Sequence, residues 1–180
     1  MRRLGDTGPD MAQPRILVAF ASRNGGTGQI AEWISDELQR AGLSVDLRDV
    51  RLVESIDEYD TVVLGSAVYM RRWQRAARAF LRHHVGTLTQ RQVWLFSSGP
   101  VDPGTVVPND DIPLGLGRLA ARVNAHRHIT FGGRLEVDAA DWSARTLARR
   151  GMAGDFRDET AVRNWATTIA DSRRPSDQQA

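Results

Sequence analysis

The stretch "RILVAFASRNGGTGQIAEWI", Arg15 to Ile34, decides the fold. Its first part, Arg15–Ala21, is a continuous apolar run after one arginine, the mark of a strand buried on both faces. The chain then enters a polar loop with two hydroxyls (Ser22, Thr27), one amide (Asn24), Arg23 and three glycines (Gly25, Gly26, Gly28). From Gly28 to Arg40, Ile30, Ile34 and Leu38 recur every fourth residue, so a helix with one buried stripe follows at once. Strand, glycine-rich loop and helix in that order form the first half of a parallel β-α-β unit.

The same alternation continues down the chain. "LSVDLRDV" (43–50) alternates like an edge strand and "DTVVLGSAV" (60–68) is a second buried strand. "RRWQRAARAFLRHHV" (71–85) reads as a helix burying Trp73, Ala76, Ala77, Phe80 and Leu81, and "QVWLFSS" (92–98) as a fourth strand. A Pro/Asp-rich loop (99–113) leads to a helix around Leu114–Asn124, and "HRHITFGG" (126–133) makes a fifth strand. After an irregular stretch, Asp158 caps a last helix with Val162, Trp165 and Ile169 on one face. The expected architecture is doubly wound α/β: five parallel strands with helices on both faces. Residues 1–14 and 172–180 lack periodicity and read as a disordered leader and tail around one domain, 15–171.

Composition narrows the chemistry. The 180 residues suit a single core, and 41% hydrophobic content contains no run near the ~20 residues that span a bilayer. There is no cysteine, hence no disulfide, thiolate metal site or thiol redox chemistry, and a cytoplasmic location is the default. All 24 basic residues are arginine, against 22 acidic ones. A lysine-free chain excludes Schiff bases and the lysine of a nucleotide-triphosphate P-loop. A charge of +2 with no aromatics interleaved among the arginines argues against nucleic acid as a partner.

In a sheet of this kind ligands sit beyond the carboxyl ends of the strands, here Ala21–Gly28, Gly65–Arg72 and Ser97–Gly104. The first loop opens a helix whose initial N–H groups lack partners and carry the positive end of its dipole. Three glycines let the backbone approach a ligand, and Ser22, Thr27 and Asn24 add neutral donors. That set suits a terminal phosphate. The plainer alternative, a capped helix after an ordinary turn, does not need three glycines in a connection of ~2–6 residues. Gly26-x-Gly28-x-x-Ala31 with Asp49 also fits the dinucleotide fingerprint, but its first glycine stands too far beyond the strand.

This loop resembles the FMN phosphate loop of flavodoxins: Phe20, Ser22, Gly25, Thr27 and Ala31 fall on the pattern, whereas Ala19 and Asn24 depart from it. The resemblance covers about Arg15 to Ala170. "LGSAVYMRRW" (64–73), "VWLFSSGP" (93–100), "ITFGGRL" (129–135) and "GDFRDETAVRNWA" (154–166) look like the branch that includes the menaquinone-dependent protoporphyrinogen oxidases. It implies a flavodoxin-like strand order, 2-1-3-4-5, and FMN as cofactor, with the phosphate on Ser22, Arg23, Asn24, Gly25, Gly26, Thr27 and Gly28. The ring would lie between Ser66, Ala67, Val68, Tyr69 and Met70 on its N5 side and Ser97, Ser98, Gly99, Pro100 and Val101 on its pyrimidine side. Tyr69 either stacks on that ring or is a surface-loop tyrosine. Trp73 reads as core.

The four histidines read as helix-end and strand surface residues, and neither pair has metal-ligand support. Arg71, Arg75, Arg78 and Arg82 fall on one helix face, which is either solvated or docks an anion: an acidic partner, substrate carboxylates or a membrane surface. The expected function is an FMN oxidoreductase passing electrons between a reduced substrate and a quinone, with a non-enzymatic FMN carrier serving a redox protein as the alternative. A phospho-receiver is excluded, since it needs acids beyond strand one and a lysine after strand five.

Overall fold

A computed structural model describes residues 15–23, 25–99, 107–108, 112–135 and 154–173. In chain order the elements are β1 (Arg15–Ala21), α1 (Gly26–Arg40), β2 (Ser44–Asp49), a 3-10 turn (Val50–Leu52), β3 (Thr61–Tyr69) and β4 (Arg72–Trp73). There follow α2 (Arg75–His83), α3 (Val85–Leu88), β5 (Gln92–Gly99), β6 (Val107–Pro108), α4 (Leu116–Arg122) and β7 (Arg127–Gly132). The chain closes with β8 (Arg134–Leu135), β9 (Gly154–Asp155) and α5 (Glu159–Asp171).

Five strands run parallel in the order β2-β1-β3-β5-β7, which is 2-1-3-4-5 when only they are counted. The expected order is therefore observed. β6, from within the expected proline-rich loop, adds an antiparallel edge beside β7. The leader 1–14 and residues 174–180 of the tail lie outside the described residues; Ser172 and Arg173 close α5 through backbone hydrogen bonds.

The two faces of the sheet are read from alternate residues of one strand. Leu17, Ala19 and Ala21 point with Val62, Leu64, Val93 and Leu95 towards α2 and α4. Ile16 and Val18 join Val63, Trp94, Phe96 and Phe131 against α1 and α5. On this second side Ile30, Ile34 and Leu38 of α1 meet Val162, Trp165 and Ile169 of α5, the stripes expected from periodicity. Asp158 caps α5 as expected, accepting from the Ala161 N–H at 3.0 Å.

A ring over a glycine sets the middle of this core. Phe96, fully buried, packs against Phe131 and Trp165 at centroid distances of 6.2 Å each, and it sits opposite Gly65 in the β3–β5 register. A methyl on Gly65 would come within 1.9 Å of that ring.

The largest departure from expectation lies at residues 71–74. The helix expected over 71–85 begins at Arg75, and the chain first makes a two-residue hairpin: Tyr69 pairs with Arg72 and Val68 with Trp73. Its central residues, Met70 (φ 48) and Arg71 (φ 59), are both left-handed, the requirement of a type I′ turn. Neither is glycine, so each carries backbone strain of roughly 1 kcal/mol or more. Trp73 is buried as expected, from this short strand rather than from a helix face, and Arg71 leaves the helical arginine row.

Two outcomes follow for stability. Gly65→Ala should lower it by about 3 kcal/mol through overpacking, and adding Phe96→Leu should recover part of that loss in urea unfolding. Replacing Met70–Arg71 by Asn-Gly should raise the unfolding free energy by about 1 kcal/mol, because Asn-Gly accepts the type I′ geometry.

Candidate functional site

The carboxyl ends of β1, β3 and β5 lie side by side, with Ala21 opposite Ser66 and Ala67 opposite Ser98 in register. Their three loops form one rim.

The first loop turns into α1 through Gly25, left-handed at φ 76, where a side chain would be strained although nothing lies within 4 Å of its Cβ position. The helix begins at Gly26, two residues earlier than expected, and its first described internal bond runs from the Gln29 N–H to the Gly25 carbonyl. The N–H groups of Gly26, Thr27 and Gly28 therefore belong to the first turn, which has no intrahelical acceptor for them. No described side chain caps this end and no acidic residue occupies the first turn. Gly28 also answers packing, since a Cβ there would meet the Phe20 ring at 3.3 Å, whereas one on Gly26 would make only ordinary contact with Arg134 of β8 at 3.5 Å. Thr27 is buried, Ser22 half-buried and Arg23 exposed; Asn24 lies outside the described residues.

The second loop is braced from within. Ser66, fully buried, donates its hydroxyl to the Ala67 carbonyl at 2.9 Å and accepts the Gln74 N–H at 3.0 Å. That bond fastens the start of α2 to the end of β3. Ala67 is nearly buried, Val68 and Tyr69 are half-buried, and Met70 at the turn is 86% exposed. The guanidinium of Arg23 stands 5.9 Å from the centre of the Tyr69 ring, so the first and second loops touch. The carbonyl of Arg71 accepts the Leu114 N–H at 2.7 Å, drawing the segment before α4 onto the hairpin.

The third loop carries a contact that sequence reasoning missed. Trp73 Nε1–H donates to Ser97 Oγ at 2.8 Å, and the same oxygen is 2.8 Å from His128 Nε2. Both Ser97 and His128 are buried, so His128 is not the surface residue expected. A serine beside a histidine suggests a nucleophile and its base, but this hydroxyl is sealed in the core and already receives the indole N–H. It ties β4, β5 and β7 together instead. Alternation in "HRHITFGG" could have turned His128 inward; nothing in the sequence places Trp73 beside it. Ser98 is buried, and the Gly99 carbonyl accepts the Gly133 N–H at 2.7 Å; Pro100 and Val101 lie outside the described residues.

The side chains of Ser66 and Ser97 are thus spent inside the fold. Among the described residues, the second and third loops keep backbone groups, the Tyr69 ring and the exposed Met70 side chain for a ligand. Among the described residues no cluster of three or more His, Cys, Asp or Glu could hold a metal, and no helix is long and apolar enough to cross a membrane. The rim suits a bound group that carries its own chemistry, a phosphate end at α1 and a planar end beside Tyr69.

Known proteins share this fold. The chain is 29% identical over 160 residues to the protoporphyrinogen IX dehydrogenase [quinone] of Escherichia coli K12, covering 84% of this chain and 88% of that protein. Flavodoxin 2 from Bacillus cereus superposes with a TM-score of 0.57 at 19% identity, over 88% of this chain and 99% of its own. The rubredoxin oxygen:oxidoreductase of Desulfovibrio gigas gives 0.60 at 12% identity over 89% of this chain, which spans only 36% of that larger protein. The family profile of the flavodoxin domain matches residues 17–160, beginning within β1. The chain belongs to the flavodoxin-domain family.

Proposed function

We propose that this protein is an FMN-dependent oxidoreductase that passes electrons from a reduced substrate to a quinone, acting on a porphyrinogen or a compound like it. The observation that carries the cofactor assignment is the start of α1. Three consecutive first-turn N–H groups lie behind a left-handed glycine, with no acidic residue in that turn. A dianionic phosphate ester is the group such an end accepts, bound by neutral donors and the helix dipole. Ser22 and Thr27 stand beside these donors, and Arg23 adds a cation.

The flavin, when bound, supplies the electron transfer. This chain's residues hold it, shape its surroundings and keep other groups away. Tyr69 offers a face for stacking, steadied by Arg23. The hairpin of β3 and β4, fastened by the Ser66–Gln74 bond, and the end of β5, fastened by Ser97, keep two backbone edges in fixed positions. Rigid N–H groups near the ring tune its potential without themselves reacting.

The reaction rests on the likeness to the quinone-linked dehydrogenase over most of both chains. The second reading, an electron carrier, is favoured by the flavodoxins among the structural relatives. Donor and acceptor assays separate the two. The protein reconstituted with FMN should be reduced by a porphyrinogen and reoxidised by a menaquinone analogue faster than by a protein acceptor; the reverse preference would mean a carrier. Failure to bind FMN would remove both.

Gly25→Asp tests the phosphate site directly. It sets a carboxylate at the start of α1 in open space, where it competes for the same N–H donors. FMN affinity, followed by quenching of flavin fluorescence, should fall at least about tenfold, which corresponds to ~1.4 kcal/mol.

A further inference from the structure

Two consecutive residues, Trp73 and Gln74, reach the carboxyl ends of all three strands whose loops form the rim. The Gln74 side chain donates from Nε2–H to the Ala21 carbonyl, at the end of β1, at 3.3 Å. Its backbone N–H is held by Ser66 Oγ on β3 at 3.0 Å. The Trp73 indole donates to Ser97 Oγ on β5 at 2.8 Å, and that hydroxyl keeps its own proton for His128 Nε2 on β7, also at 2.8 Å. Ser66 and Ser97 stand opposite each other in the β3–β5 register, so the dipeptide lies across the strands rather than along one of them.

Gln74 immediately precedes α2, yet its side chain does not cap that helix and is directed at β1 instead. Trp73, Ser66, Ser97 and His128 are buried and Gln74 is half-buried, so water competes little for these bonds. Val68 pairs with Trp73 across the hairpin, which makes any shift of Trp73 a shift of the backbone beside Tyr69. The segments Ser66–Met70 and Ser97–Gly99, assigned above to the two sides of the flavin ring, are therefore spaced by one dipeptide. Donors held at fixed spacing favour the more electron-rich, reduced form of a ring placed between them.

We propose that Trp73 and Gln74 are positioning residues for the flavin: they clamp the ends of β1, β3 and β5 and thereby set how strongly the rim prefers reduced over oxidised FMN. The assignment rests on the cofactor proposed above and holds for either of the two functional readings. Neither side chain needs to touch the ring, because each acts through the backbone that it holds.

The test measures the two-electron midpoint potential of bound FMN, the affinity for oxidised FMN and unfolding in urea for the native chain and three variants. Trp73→Phe keeps a ring in the core and removes the bond to Ser97, whose hydroxyl retains His128. Gln74→Met keeps the side-chain length and the backbone N–H, and removes the bond to Ala21. Val93→Ala, on the same face of β5 but nearer its start, controls for lost packing. Relative to oxidised FMN, reduced FMN should bind Trp73→Phe at least about tenfold more weakly, a fall of ~30 mV in potential. Gln74→Met should lower the potential by a smaller amount, since its bond is the longer one. Val93→Ala should lose stability and keep the native potential. A ratio within about twofold of native in Trp73→Phe, ~9 mV, would overturn the clamp. An unchanged potential in Gln74→Met, or an equal fall in Val93→Ala, would do the same. A native chain that binds no FMN would remove the clamp together with the proposed function. Shifted potentials in a chain that fails to oxidise the porphyrinogen would retain the clamp and lose the proposed reaction.

Discussion

Burial of β1, β3 and β5 on both faces governs everything else in this molecule, because a strand with no wet side needs a helical layer above and another below. Alternate side chains of β1 serve the two layers in turn: Leu17 and Ala19 one way, Ile16 and Val18 the other. Parallel strands joined by crossovers then bring their carboxyl ends to one edge. The rim of three loops results from that packing rather than from any attraction among the loops. The core does the positioning, and the tight fit of the Phe96 ring over Gly65 shows how little freedom it leaves.

The loops themselves are stiffened by polar bonds made beneath them. Ser66 holds the Gln74 N–H, and Ser97 accepts from Trp73 within reach of His128; all are shielded from water or nearly so. Hydrogen bonds in such surroundings contribute about 1 kcal/mol each, and leaving a buried partner unsatisfied costs more. They are large enough to offset the strain of two non-glycine residues in the Met70–Arg71 turn. The result is a pair of backbone edges braced from within the fold. Preorganisation of that sort suits electron transfer, in which the bound group changes charge while its surroundings should not move.

The lysine-free composition gives the site its particular electrostatics. Neutral N–H donors open α1, where the proposed phosphate would sit, while guanidinium groups from several elements stand nearby. Arg51 is oriented by its own carboxylate, Asp49, which accepts from both its Nε and Nη2.

Most of the scaffold was legible in the sequence. The apolar run Arg15–Ala21 became a strand with the same limits, the four-residue spacing of Ile30, Ile34 and Leu38 became the buried stripe of α1, and Asp158 became a cap. These are local matters, governed by period, propensity and neighbouring residues, so the sequence alone determines them. Tertiary structure decided what depends on distant partners. Arg71–Gln74 has a helix-like pattern, but Trp73 gains more from meeting Ser97 inside the core, and the chain folds back as a hairpin to deliver it. His128 turned inward for the same oxygen, and Arg23, Arg51 and Arg75 converged although 28 and 24 residues separate them in turn. No period along a chain encodes such meetings, because they arise only when the sheet sets the ends of its strands side by side.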